Sequence, residues 1–167
     1  MLPNSLRTGE RVREVMDAYG AMIYRLAYAR TLNRSDAEDV FQEVMLRYVK
    51  QDQPFKDDQH EKAWLIRVAC NVSIHIVKSA WYRRTVSLEH APLPDVQENA
   101  DIDDDLLDAM ARLSPKYRVP IHLFYFEDMT VEEISLALAR KPSTVRTQLT
   151  RGREHLKRYL IEGGCTE

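Results

Sequence analysis

Apolar residues recur at every third or fourth position along most of this chain, and no long run of β-branched residues alternates at period two. That spacing gathers apolar side chains into one stripe on a helix, whereas a half-buried strand needs strict alternation. The fold class is therefore all-α. Val12, Val15, Met16, Tyr19, Met22, Ile23 and Leu26 define a first helix, expected from about Arg11 to Thr31 and interrupted by Asn33 and Arg34. Ser35 followed by Glu38 reads as a capping box that opens a second helix. Its stripe is Ala37, Val40, Phe41, Val44, Met45 and Tyr48, and it ends before Pro54, which bars easy continuation. Leu65, Val68, Ala69, Val72 and Ile76 mark a third helix, expected from about Glu61 to Ser79 or a little beyond.

The net charge of −2 conceals a segregation that says more than the total. Residues 62–84 carry Lys62, Arg67, Lys78, Arg83 and Arg84 with no acid, a balance of +5. Residues 91–111 carry seven acids and no Lys or Arg, a balance of −7. Residues 140–158 carry Arg140, Lys141, Arg146, Arg151, Arg153, Lys157 and Arg158 against Glu154, a balance of +6. Two basic blocks are thus separated by an acidic one. Residues 86–102, with Pro92, Pro94, many acids and few large apolar groups, cannot bury enough surface to fix themselves. They read as a linker between an N-terminal domain over 1–85 and a C-terminal domain over 103–167.

The C-terminal part opens with a helix bearing Leu106, Leu107, Met110 and Leu113, its first turn rich in Asp, which suits the positive end of the helix dipole. Ser114 and Pro115 read as an N-cap with proline at the first helical position. The helix that follows carries Tyr117, Ile121, Phe124 and Tyr125, with Pro120 expected to bend it.

The sharpest signal lies in residues 129–160. Thr130 and Glu133 form a capping box, and Met129 and Ile134 stand where a hydrophobic staple places them. A short helix follows with Val131, Ile134, Leu136 and Leu138. It breaks at Ala139-Arg140-Lys141, and Pro142 starts a helix with Val145, Leu149, Leu156 and Leu160. Short helix, tight turn and second helix make a helix-turn-helix. Ser143, Thr144, Arg146, Thr147, Gln148 and Arg151 are the outward residues near the start of the second helix. They offer hydroxyls, an amide and guanidiniums suited to base edges in a major groove. Lys141, Arg153, Lys157 and Arg158 are better placed for phosphates. On the third helix, Trp64, Arg67, Asn71, His75 and Lys78 recur at three and four along one side, followed by Arg83 and Arg84. A ring, an amide and cations together are the chemistry of single-stranded DNA binding. Trp64 also suits a core anchor.

No Ser/His/Asp order, Gly-rich phosphate loop or His/Cys cluster points to an enzyme, a metal or a cofactor. Cys70 and Cys165 lie too far apart in sequence for metal-ligand spacing. No apolar run approaches the roughly 18 residues of a membrane span, and Met1 to Arg13 lack the apolar core of a signal peptide. The expected setting is the cytoplasm.

These residues resemble the sigma factors of the extracytoplasmic-function (ECF) class, a group of bacterial transcription initiation factors, from about Val12 to Leu160. Leu113-Ser114-Pro115-Lys116-Tyr117-Arg118 is similar to the entry into that family's fourth conserved region. Phe126 to Ile134, Thr144-Val145-Arg146 and Leu149 to Arg153 are similar to its helix-turn-helix, which reads the −35 promoter element. Asp36-Ala37-Glu38-Asp39-Val40-Phe41-Gln42-Glu43-Val44 is similar to the segment that docks on the clamp helices of RNA polymerase. The resemblance makes Asp36, Asp39, Gln42, Glu43 and Arg47 the candidate polymerase-binding residues. Ala63 to Asn71 is similar to the segment that melts and captures the −10 element. The resemblance further implies that the acidic linker enters the polymerase channel, that the partners are the β and β′ subunits and promoter DNA, and that an anti-sigma factor regulates the protein. Two departures stand out: Ala139 and Arg140 occupy turn positions where the family usually has Gly and an aliphatic residue, and Lys141 holds the usual N-cap site.

Read from the residues alone, two other functions stay open. A free-standing helix-turn-helix regulator with a helical dimerisation or sensor domain would bind specific duplex tightly by itself. A basic-helix adaptor for acidic proteins would lack the salt-dependent DNA binding that phosphate contacts impose.

Overall fold

The computed structural model describes residues 9–86 and 104–163, with side chains from 9–83 and 104–163. Among these residues all regular structure is helical: α1 (Gly9–Thr31), α2 (Arg34–Lys50), α3 (Asp58–Val86), α4 (Asp104–Arg112), α5 (Pro115–Tyr125), α6 (Val131–Leu138) and α7 (Pro142–Gly163). The chain divides into two compact units, Met1–Pro94 and Asp95–Glu167. The acidic linker expected over 86–102 lies outside the described residues except for Val86, the last residue of α3.

In the first unit α1, α2 and α3 pack pairwise on one another. Val15, Ile23, Leu26, Ala37, Val40, Val44, Leu65, Ile66 and Ala69 are almost fully buried between them. Each large aliphatic side chain so removed from water contributes roughly 1.5–3 kcal/mol. One buried carboxylate ties all three helices together. Glu61, at the start of α3, accepts from the Tyr48 hydroxyl of α2 at 2.7 Å and from Arg11 Nη2 of α1 at 2.7 Å. A carboxylate there is tolerated because both bonds compensate its lost hydration. The hydrogen bond from Arg11 to Glu14, with the charge of Glu61 added, holds that guanidinium above the ordinary arginine pKa. Burial, and the nearby charges of Asp58 and Glu61, push the Tyr19 phenol up.

The start of α2 differs from the expected capping box. The N-cap is Asn33, whose side chain accepts from the Asp36 N–H at 2.9 Å. Asparagine caps as well as serine, so the helix begins before Ser35. Glu38 does not reach back; it pairs with Arg34 at 3.2 Å. The turn into this cap places Leu32 at φ 54, with its N–H bonded to Tyr28 O at 2.8 Å. Helix α3 is longer than expected at both ends. Asp57, just before it, accepts from the His60 N–H at 2.8 Å, as a cap does.

In the second unit α7 packs on α4, α5 and α6, and α5 also packs on α6. Leu113, Ile121, Leu123, Ile134, Val145 and Leu149 form its core. The buried Arg118 donates from Nη2 to Leu113 O at 2.6 Å and from Nε to Met110 O at 3.1 Å. It thereby satisfies carbonyls that the end of α4 leaves without helical partners. Pro115 stands at the first position of α5, as expected, but the Ser114 side chain makes no capping bond. The helix runs unbroken through Pro120 to Tyr125. Three residues of this unit read on apolar stripes are exposed: Tyr125, at the last position of α5, Leu136 on α6 and Leu160 on α7.

Candidate nucleic-acid and polymerase interfaces

The helix-turn-helix is built from α6 and α7. Both halves of its capping box form: the Thr130 hydroxyl accepts from the Glu133 N–H at 3.2 Å, and the Glu133 carboxylate accepts from the Thr130 N–H at 2.8 Å. Met129 and Ile134, the expected staple pair, are both buried. The turn then demands a left-handed residue. Ala139 takes φ 52, ψ 47, and Arg140 N–H bonds back to Ser135 O at 3.1 Å. The Ser135 hydroxyl donates to Arg140 O, so both backbone groups of Arg140 are held. Glycine would adopt this conformation without steric cost, which is why alanine here departs from the expected pattern.

Helix α7 buries Val145, Leu149 and Gly152 and turns the opposite side to solvent. Lys141, Ser143, Thr144, Arg146, Thr147, Arg151, Arg153 and Lys157 are all exposed, as the sequence implies. Gln148 is a correction. It is buried, and its Oε1 accepts from Arg140 Nη1 at 2.9 Å, so its amide braces the turn and is not offered to bases. Sequence reasoning passed over Thr150, which is exposed and lies three residues beyond Thr147 and four beyond Arg146. The same helical spacing that selected those two would have found it. Arg146 lies 3.4 Å from Glu132 of α6, an exposed pair of the kind that contributes little to stability.

Along α3, Arg67, Asn71, His75 and Lys78 are exposed and share one face, and Arg83 is exposed near the end. Tyr82 continues their spacing and is 66% exposed, beside Trp81 at 67%. Arg84 lies within α3, but its side chain is outside the described residues. Trp64 takes the anchoring role. It is half-buried, with its ring centroid 5.6 Å from Phe55 and 6.2 Å from Tyr48. This ring group fixes the segment joining α2 to α3, and no sequence signal marked Phe55 as part of it.

On α2, Asp39, Gln42 and Arg47 are exposed and Glu43 is partly so, with Glu43 and Arg47 paired at 2.9 Å. Asp36 is a second correction: it is buried in the first turn and lies off the exposed face. Placed in that turn, a carboxylate also meets the positive end of the helix dipole.

The family model for sigma-70 region 2 matches residues 15–83, and that for sigma-70 region 4 matches residues 103–156. The chain is 31% identical over 162 residues to the ECF RNA polymerase sigma factor SigL of Mycobacterium tuberculosis, covering 93% of this chain and 92% of that protein. It is 26% identical over 164 residues to the ECF RNA polymerase sigma factor SigW of Bacillus subtilis, covering 88% and 87%. It is 30% identical to the ECF sigma factor SigE of Mycolicibacterium smegmatis, of whose length it spans 61%. In fold it is similar to the sigma factor RpoE of Bartonella quintana, solved with the anti-sigma factor NepR. The TM-score is 0.71 at 20% identity, covering 92% of this chain and 98% of that one.

The chain belongs to the ECF RNA polymerase sigma factors, transcription initiation factors that direct promoter-specific transcription. Membership selects the initiation-factor reading over the free-standing regulator and the basic-helix adaptor. Among the described residues, no helix is long and apolar enough to cross a membrane.

Proposed function

We propose that this protein binds core RNA polymerase through the exposed face of α2, reads a −35 element with α7 and engages a −10 element with α3. The observation that carries this is the exposed, helically spaced row on α7: Ser143, Arg146, Thr147 and Arg151, flanked by Lys141, Arg153 and Lys157. Hydroxyls and guanidiniums at the start of a second helix fit base edges, and the flanking cations fit phosphates. On α3, Arg67, Asn71, His75 and Lys78 supply an amide and cations to the opened strand, and Arg83 and Arg84 extend the basic character. On α2, Asp39, Gln42, Glu43 and Arg47 meet a charged partner helix of the β′ subunit. The acidic linker over residues 86–102 suits a cationic nucleic-acid channel of the polymerase, because it carries the sign of the backbone that channel holds.

The protein itself performs no catalysis in this account; bond formation belongs to the polymerase. It acts in the cytoplasm, where the template is. Two structural relatives were solved in complexes: RpoE with the anti-sigma factor NepR, and CnrH with the cytosolic domain of CnrY. By likeness, an anti-sigma factor holds this protein inactive.

Co-elution with core polymerase tests the α2 assignment. The wild-type chain runs with the polymerase on size exclusion, and the double variant Asp39→Arg, Gln42→Ala runs free while keeping its helical circular dichroism. Equal retention of both would remove α2 as the docking face.

A further inference from the structure

Tyr125 ends α5 with its ring half exposed, and its hydroxyl accepts from Arg153 Nε of α7 at 2.6 Å. The Arg153 guanidinium lies 5.7 Å from the Tyr125 ring centroid and 5.8 Å from that of Phe124. Arg153 is nonetheless exposed, and among the described residues no acceptor engages its Nη groups. We propose that Tyr125 and Arg153 form a two-residue clamp for a DNA backbone phosphate, with the tyrosine hydroxyl donating beside the guanidinium. The proposal rests on the reading of α7 as the duplex-facing helix and adds to it a contact from outside the helix-turn-helix.

Four physical points support the clamp. A phenol that accepts from Nε still has its own proton to donate, and an anionic oxygen is the partner that proton suits beside a cation. The Nε bond and the two rings restrict the guanidinium before any ligand arrives, which lowers the ordering cost of a phosphate contact. Arg146, Arg153 and Lys157 follow one another at seven and four residues, so they share one flank of α7. That row covers roughly 16 Å of helix, enough to follow a strand whose charges recur about every 3.4 Å. Glu154 is the acid next to Arg153 in sequence, but it lies about 100° around the helix from it, off that flank.

Full-length protein and a mixed-sequence DNA duplex, followed by fluorescence anisotropy across a salt series, test the clamp without knowledge of the promoter. Wild type is expected to bind with a log–log salt slope near −4 or −5. Tyr125→Phe keeps the ring and the fold. It should weaken binding about fivefold at every salt concentration with the slope unaltered, as loss of one neutral donor requires. Arg153→Gln should weaken binding and flatten the slope by about 0.9. The double variant should lose less than the two single losses combined, because each variant already breaks the same contact. If Tyr125→Phe binds as wild type does and only its Tm falls, the pair merely fastens α5 to α7 and the clamp is overturned. If wild type itself shows no salt-dependent duplex binding, the duplex-facing reading of α7 falls and takes the clamp with it.

Discussion

Arg140 and Gln148 are joined by a 2.9 Å hydrogen bond from guanidinium to amide oxygen, across the turn of the helix-turn-helix. The bond ties the residue that follows the left-handed Ala139 to the body of α7. A residue expected to read bases is therefore part of the brace that aims the readers. Gln148→Ala should lower stability by about 1–2 kcal/mol, from one charged hydrogen bond and the packing of a buried side chain. Promoter selectivity should persist. Thermal unfolding combined with in vitro selection of bound sequences checks both halves.

Ala139 carries a Cβ in a conformation that penalises one, at φ 52, ψ 47. Ala139→Gly relieves roughly 1–2 kcal/mol of local strain and gives back part of it through the freer unfolded chain. The expected net change is a gain of about 0.5–1 kcal/mol in urea unfolding. A loss of stability would mean that the strain is already relaxed in the wild-type turn.

Gly152 is an interior glycine of α7, where it costs helix propensity. The reason it stands there is the approach of α5. A Cβ built at Gly152 would lie 2.9 Å from Ile121 Cγ1 and 3.4 Å from Tyr117 Cβ. Both atoms are near the backbone and yield little. Gly152→Ala should therefore destabilise the C-terminal unit by about 1–3 kcal/mol despite the better helix former. A rise in Tm would refute the close approach.

Arg146 and Arg151 should differ from Lys157 in kind. If either arginine is bidentate to a guanine, its replacement by alanine costs about 1–3 kcal/mol and relaxes preference at that base. Lys157→Ala should weaken all sequences alike and reduce the salt slope by about one. Selected-sequence profiles of the three variants separate the roles. Unchanged selectivity in both arginine variants would remove them as base readers.

Periodicity alone yielded the helical class, and the Thr130–Glu133 box and Pro142 marked the second half of the fold, because caps act over three or four neighbouring residues. The capping box expected at Ser35 and Glu38 leaves the neighbouring Asn33 unweighed. Asn33 and Ser35 are both good caps, and only the chain path set by Leu32 selects the first. Gln148 and Asp36 look like surface residues by type, yet each is buried. Gln148 is held by a partner eight residues away. The Glu61–Tyr48–Arg11 junction and the Tyr125–Arg153 pair join helices distant in sequence, so no local pattern announces them. Trp64 had two compatible roles on paper, and the rings of Phe55 and Tyr48 decide for the anchor.

Run-off transcription bears most directly on the whole account. Core polymerase would be supplied with fragments of the host genome, with and without the purified protein, and the transcripts sequenced. The account predicts new start sites that share two spaced upstream elements and vanish with Arg146→Ala, Arg151→Ala. Transcripts identical in the presence and absence of the protein would contradict it.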